Sequence, residues 1–342
     1  MPTVSTTGVT TGLTQSPRAT PRLAAEAVEK ALARLGASRA GQVLLFLSAD
    51  FAHDPRPAIV AAARAAQTLA ITGCTALGVM TEEDWVLDAP SACALVLPEQ
   101  LVLDQQALLS LAAPNALDIG WLEQERPRYG GVAGDATGLG PFKVWRQGQI
   151  VPEGYADLPL PTAHIGLSRG LAPVGTIHRI TAVDGFDLQT LDERQAATTL
   201  RRAIDVMPPA HQIALALVDD NDAVTESLPV VSINPDGAVT VAGRVQVGER
   251  VRWLHRSAET AQQEVAALVA GSAPDFALLF SCGARGPELH GGVDREWEMV
   301  RAAWPGVPFA GFYGNGQIVH QAGMNRLLHQ SLVLASFGGK DI

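Results

Sequence analysis

Residues 276–318, FALLFSCGARGPELHGGVDREWEMVRAAWPGVPFAGFYGNGQI, constrain the fold more than any other part of the chain. The apolar run Phe276-Ala277-Leu278-Leu279-Phe280 is of buried-strand type. Ser281-Cys282-Gly283-Ala284-Arg285-Gly286 then supplies small residues that let the backbone bend and expose its polar groups. An amphipathic helix, a second apolar run and a second glycine-rich segment, Gly311 to Gly316, complete the unit. In open α/β sheets ligands bind beyond the ends of such strands.

The same order recurs near the N-terminus. Val43 to Leu47 is an apolar strand run, Pro55 opens an alanine-rich helix reaching about Thr68, Leu69 to Thr72 is the next strand, and Gly73 to Gly78 is a glycine loop. Phe46 to Gly73 spans 27 positions and Phe280 to Gly311 spans 31, while Gly73 to Gly78 and Gly311 to Gly316 both span five. The expected fold class is therefore α/β, with two related strand-loop-helix-strand lobes produced by internal duplication and a β-rich segment between them.

Flanking elements follow from local signals. Leu23, Ala27, Ala31 and Leu35 recur at helical spacing up to Gly36, which reads as an amphipathic helix with a glycine stop over one sheet face. Val9 to Thr14 reads as an edge strand. Lys143-Val144-Trp145 with Arg146-Gln147-Gly148 reads as a hairpin, as does Asn234-Pro235-Asp236-Gly237 between β-branched runs. Residues 191–207 read as a helix stopped by Pro208-Pro209, and Ser257 as the cap of a helix reaching about Ala270.

The candidate binding residues lie on the glycine segments. Ser281, Cys282, Arg285 and Gly286 follow the first strand, where backbone N–H groups and the planar guanidinium of Arg285 suit a carboxylate or phosphate. A purely structural reading pairs Arg285 with Glu288 or Asp294. Tyr313, Asn315 and Gln317 offer an aromatic face and two amides, and Gly73, Cys74 and Thr75 are their equivalents in the first copy. Cys282 with His290 as base defines an enzymatic alternative.

Other chemistries are excluded or unsupported. A net charge of −10, with no basic run of five, argues against nucleic acid or an anionic membrane surface. Residues 134–140, GDATGLG, lack both the GxGxxG spacing and a following helix, and no GxxxxGK[ST] occurs. His53, His178, His290 and His320 form no close metal-binding pair, whereas haem would need only one axial histidine and an apolar slot. Cys74, Cys93 and Cys282 are an odd set without CxxC. With no signal-peptide pattern and no membrane-length apolar stretch, they lead us to expect a cytoplasmic, soluble protein.

Several segments together resemble the FIST family: VLLFLSADFAHDP, ITGCTALGVM, RYGGVAGD, APVGTIHRIT, and above all the FSC-x-x-RG and GF-x-x-NGQI elements at Phe280 and Gly311. Residues 1–20 are Thr/Ser/Pro-rich and read by composition as a flexible N-terminus, while the resemblance implies a FIST N-terminal region over 21–228 and a FIST C-terminal region over 229–340. It further implies a stand-alone signal-transduction sensor of small ligands such as amino acids, with its output in a separate protein such as a kinase. A haem-based nitric oxide sensor is the alternative that some relatives of the family imply; no cofactor is otherwise expected.

Overall fold

In the computed structural model, which describes residues 8–99, 103, 106–116 and 118–338, β1 (Thr10–Gln15) precedes α1 (Pro21–Leu35). Residues 1–7 of the N-terminus expected to be loose lie outside the described residues. α1 has proline at its first position, where a fixed φ suits the helix, and buries Leu23, Ala27, Ala31 and their neighbours on one face. It stops at Gly36 with φ +68°, a left-handed conformation that glycine adopts without strain.

The chain continues through β2 (Gln42–Ser48), α2 (Arg56–Ala66), β3 (Ile71–Ala76), β4 (Gly78–Thr81), β5 (Trp85–Val86) and β6 (Ser91–Leu97). Next come β7 (Leu108–Ala112), α3 (Ile119–Leu122), β8 (Arg128–Val132), the hairpin β9 (Val144–Arg146) and β10 (Gln149–Ile150), β11 (Tyr155–Pro159) and β12 (Ala163–Ser168).

Residues 170–263 form a compact unit. It holds β13 (Leu171–Asp184), β14 (Asp187–Leu191), β15 (Arg194–Gln195), α4 (Ala196–Ala203), β16 (Ile213–Val218), β17 (Val224–Ile233), β18 (Val239–Val241) and β19 (Arg250–Arg256). The antiparallel order β13-β19-β16-β17-β18-β14 returns to β13, which closes the sheet into a barrel and leaves those strands no free edge. Leu188, Leu215, Val239, Val251 and Trp253 fill it, together with Ala197 and Leu200 of α4.

The helix expected over 191–207 is confined to Ala196–Ala203. Asp192 and Glu193 take φ of 48° and 62°, turning the chain so that Leu191 pairs with both Ile180 and Arg194 as strand. The barrel's need for a partner to β13 overrides helix propensity there.

The other compact unit joins the chain before Gly170 to the chain from Glu264. After α5 (Ala258–Leu268), where Ser257 Oγ accepts the N–H of Thr260 at 3.1 Å as the expected cap, it contains β20 (Phe276–Cys282), α6 (Gly286–Leu289), α7 (Arg295–Ala303), β21 (Phe309–Gly314), β22 (Gly316–Gln321), β23 (Met324–Leu328) and β24 (Leu332–Phe337). Its three sheets run β1-β6-β2-β3-β9-β10, β12-β24-β20-β21-β4-β5 and β11-β7-β8-β22-β23.

The first two sheets share one plan. β2 and β3 are parallel and β20 and β21 are parallel, with β6 and β24 antiparallel on the far side of β2 and β20. Leu45 lies opposite Gly73 as Leu279 lies opposite Gly311. Their inner faces meet in one core, where Phe46 lies 5.0 Å from Phe312 and Phe280 lies 5.2 Å from Phe312, centroid to centroid. Contacts at such distances add about 0.5–1.5 kcal/mol per pair beyond area burial. α1 and α2 cover the outer face of the first sheet, and α7 with the C-terminal part of α5 covers that of the second.

The segments Gly73–Gly78 and Gly311–Gly316 are strands and not the glycine loops expected from sequence. β3 runs through Gly73-Cys74-Thr75, β21 runs through Gly311 to Gly314, and each resumes after one residue as β4 or β22. Glycine serves close approach here: a Cβ at Gly73 would lie 1.7 Å from the Leu45 carbonyl oxygen, and one at Gly311 1.7 Å from that of Leu279. Among the described residues no helix is long and apolar enough to cross a membrane.

Candidate functional site

The site forms where β20 ends. Cys282 donates its N–H to the Ser331 carbonyl at 3.1 Å, Gly283 to Gly314 at 2.9 Å, and Arg285 back to Cys282 at 2.8 Å, so the chain turns sharply off the sheet. Gly286 takes φ +52° at the start of α6, and a Cβ there would come within 2.7 Å of the Tyr313 ring. Asp294 then caps α7 by accepting the Trp297 N–H at 2.9 Å.

Beneath this segment the second sheet presents one row on its helix-covered face. Ser168 of β12 pairs with Leu332, Leu332 with Ser281, and Ser281 with Tyr313. Strand alternation brings these side chains to the same side. Arg285 reaches down to the row and is fully buried. Its Nε donates to Glu296 Oε2 at 3.1 Å, Nη1 to the Ser168 carbonyl at 3.0 Å, and Nη2 to Ser168 Oγ at 2.8 Å and to Glu296 Oε1.

Around that pair lie other ionisable groups. His290 Nε2 is 3.5 Å from Glu296 Oε1, Tyr313 donates its phenol to Asp294, and Ser168 Oγ lies 2.7 Å from Glu264. Ser281 Oγ, in a residue only 2% exposed, has no partner among the described residues.

The electrostatics follow from burial and from these partners. Burial pushes the Asp294 carboxyl above its ordinary range, with hydrogen bonds from Tyr313 and Trp297 opposing it. Burial acts the same way on Glu296, but the His290 hydrogen bond and Arg285 outweigh it and hold this carboxyl below its ordinary value. Burial, then the Asp294 charge, pushes the Tyr313 phenol well above its ordinary value.

These opposite shifts make opposite pH contributions. A raised Asp294 adds stability that is fully present below its ordinary value of 3.8 and is lost as pH rises through the raised one. A depressed Glu296 adds stability that is present above 4.5 and is lost only as pH falls through the lowered value. Asp294→Asn keeps an acceptor for Trp297 and removes the first dependence. In urea melts, the variant's stability relative to wild type is expected to be higher near about pH 7 than near about pH 4. An unchanged difference would show that Asp294 does not titrate as a buried acid.

The structure brings together four of the residues singled out by sequence: Ser281, Arg285, Gly286 and Tyr313. Cys282 is buried at the strand end. Asn315, half-buried, uses its backbone, donating to Val132 at 3.1 Å and accepting from His329 at 2.9 Å. Gln317 lies in the third sheet, where its Oε1 accepts the Ser331 hydroxyl at 2.9 Å. Gly73, Cys74 and Thr75 belong to β3; burial pushes the Cys74 thiol up, and Thr75 Oγ1 accepts the Lys143 N–H at 3.0 Å. The two glycine segments do adjoin, through the pairing of Tyr313 with Gly78 in neighbouring strands.

Arg285 pairs with Glu296, not with Glu288 or Asp294. Glu296 carried one sequence signal, its place beside Trp297 and Val300 on the buried face of α7. Ser168 carried none, being 117 positions from Arg285. Among the described residues no group of three or more His, Cys, Asp or Glu is arranged to hold a metal ion.

A mixed α/β unit with a buried ion-pair network, in a chain that also holds a closed barrel, is the class of protein that these observations define. Residues 194–320 match the family model of the FIST C domain, which supports a FIST family protein. It is similar to an uncharacterised protein of Mycobacterium tuberculosis (strain ATCC 25618 / H37Rv), 27% identical over 238 residues that make up 63% of this chain and 62% of the relative. An uncharacterised protein of Mycobacterium bovis (strain ATCC BAA-935 / AF2122/97) is 27% identical over 221 residues, 58% of this chain and 57% of the relative. The chain thus spans about three fifths of the length of these curated relatives.

Proposed function

We propose that this chain is a small-ligand-binding sensory protein of signal transduction that passes ligand occupancy to a separate output protein. The observation that supports the reading is the unpartnered, buried hydroxyl of Ser281, in the same row of the sheet as Ser168, which bonds to Arg285, and Tyr313, which bonds to Asp294. Burying an ion pair gains little over apolar side chains of similar volume, and an unsatisfied hydroxyl is a cost. A buried hydroxyl without a partner, in a row that also carries the network's Ser168 and Tyr313, has a use if a ligand supplies that partner. A small carboxylate, such as that of an amino acid, could accept from Ser281 and compete with Glu296 for the Arg285 fork.

Entry requires the α6–α7 segment to lift from the sheet, because Arg285 and Tyr313 are fully covered. Ligand binding to the lifted arrangement would shift the population towards it, and that difference in shape is what a partner could read.

A thermal-shift screen of amino acids and small carboxylates tests the reading, with Ser281→Ala as its control. Removing the unsatisfied hydroxyl is expected to stabilise the protein by about 1 kcal/mol and to abolish the ligand-induced shift. The reading fails if no compound stabilises wild type, or if Ser281→Ala responds as wild type does.

A further inference from the structure

One end of the third sheet bears a second, quite different arrangement. Pro159 pairs with Leu108 and Leu108 with Arg128 across β11, β7 and β8. Beyond that row the chain around residues 124–126 walls a cleft of about 400 Å³ lined by Leu108, Gln124, Arg126, Arg128, Asp157 and Pro159.

The wall is held from behind. Asn325 of β23, 9% exposed, donates through Nδ2 to the carbonyls of Leu122 at 3.0 Å, Gln124 at 2.9 Å and Arg126 at 3.0 Å, and its Oδ1 accepts the Arg128 N–H at 2.8 Å. Arg128 adds bonds to the Arg126 carbonyl at 3.2 Å and to Gln124 Oε1 at 2.8 Å. The segment carrying Gln124 and Arg126 is thus fixed before any ligand arrives, which removes much of the ordering cost of binding.

Charge in the cleft is unbalanced. Asp157 is occupied by Arg128 at 3.1 Å, Trp121 Nε1 at 2.9 Å and Ser110 Oγ at 2.6 Å, so it neutralises Arg128 and has its acceptors in use. Arg126 is exposed, and among the described residues no carboxylate pairs with it. With Gln124 Oε1 turned to Arg128, the Gln124 amide N–H₂ remains as a second donor. Leu108 and Pro159 supply apolar surface.

We infer that this cleft is a binding site for a small carboxylate with an apolar body, held by the Arg126 guanidinium and the Gln124 amide over Leu108 and Pro159. Bidentate geometry favours a carboxylate on the free fork. An α-amino acid fits less well, because its ammonium would have to be desolvated where Asp157, the only carboxylate lining the cleft among the described residues, is already saturated with donors. The site is separate from the network around Arg285 and stands whether or not that network takes a ligand.

Calorimetric titration of the full chain with benzoate, phenylalanine and inorganic phosphate tests the proposal. Benzoate is expected to bind saturably at millimolar concentration and phenylalanine and phosphate more weakly. Arg126→Ala, at an exposed position, is expected to leave the melting temperature unchanged and to weaken benzoate binding about tenfold or more, the worth of one charge-assisted contact. No saturable binding of benzoate, or equal binding by Arg126→Ala, would overturn it. Equal or tighter binding of phenylalanine or phosphate would overturn the assigned ligand class. Because Ser281→Ala leaves this cleft untouched, benzoate binding that persists in that variant distinguishes the two sites.

Discussion

Arg285→Ala is expected to cost about 3–5 kcal/mol of folding stability, because it leaves a charged partner buried and alone. Glu296, 1% exposed, loses both guanidinium contacts, and the Ser168 carbonyl and hydroxyl lose theirs. A domain is typically stable by only about 5–15 kcal/mol, so urea unfolding should shift to markedly lower denaturant. Replacing both partners together, Arg285→Met with Glu296→Leu, is expected to recover most of the loss, since no unpaired charge remains. A single-site cost under about 1 kcal/mol would mean that the pair is hydrated in solution. The folded double variant is also the better test of signalling: if it retains the ligand-induced thermal shift, the network around Arg285 is not the sensing element.

How much of this was legible in the sequence depended on the range of the physics involved. The stop of α1 at Gly36, the cap at Ser257 and the hairpin turn at Asn234-Pro235-Asp236-Gly237 are local events, and each appears where expected. The apolar runs of β2 and β20 also identified themselves, since both faces of each strand are buried. Glu296 was harder to choose as the partner of Arg285 over Glu288 or Asp294, because the choice turns on which side of α7 faces the sheet. Nothing local marks Ser168 as a second partner, or the return of β14 to β13 that closes the barrel, because both depend on residues brought together only by the complete topology. Asn325 likewise reads as a plain turn-flanking residue until the carbonyls of residues 122–126 are placed around its amide.

Gly73 and Gly311 show a different kind of misreading, and they carry the second large effect. Glycine clusters read as turns because glycine is a poor strand residue. Here both positions are central strand residues in the same register, facing Leu45 and Leu279, and a Cβ at either would lie 1.7 Å from a backbone carbonyl oxygen. That oxygen cannot swing aside as a side chain can. Gly311→Ala must instead push β20 and β21 apart beside Phe280 and Phe312, and Gly73→Ala must do the same to β2 and β3. Each is expected to destabilise the protein by about 3 kcal/mol or more, at or above the top of the usual range for overpacking. Gly271→Ala, where an added Cβ meets nothing within 4 Å, is expected to change stability by no more than about 0.5 kcal/mol. Chemical denaturation of the three variants separates the alternatives. If Gly311→Ala behaves like Gly271→Ala, the close strand approach is not what holds glycine at this position, and a role for the glycine segment in admitting a ligand regains its force.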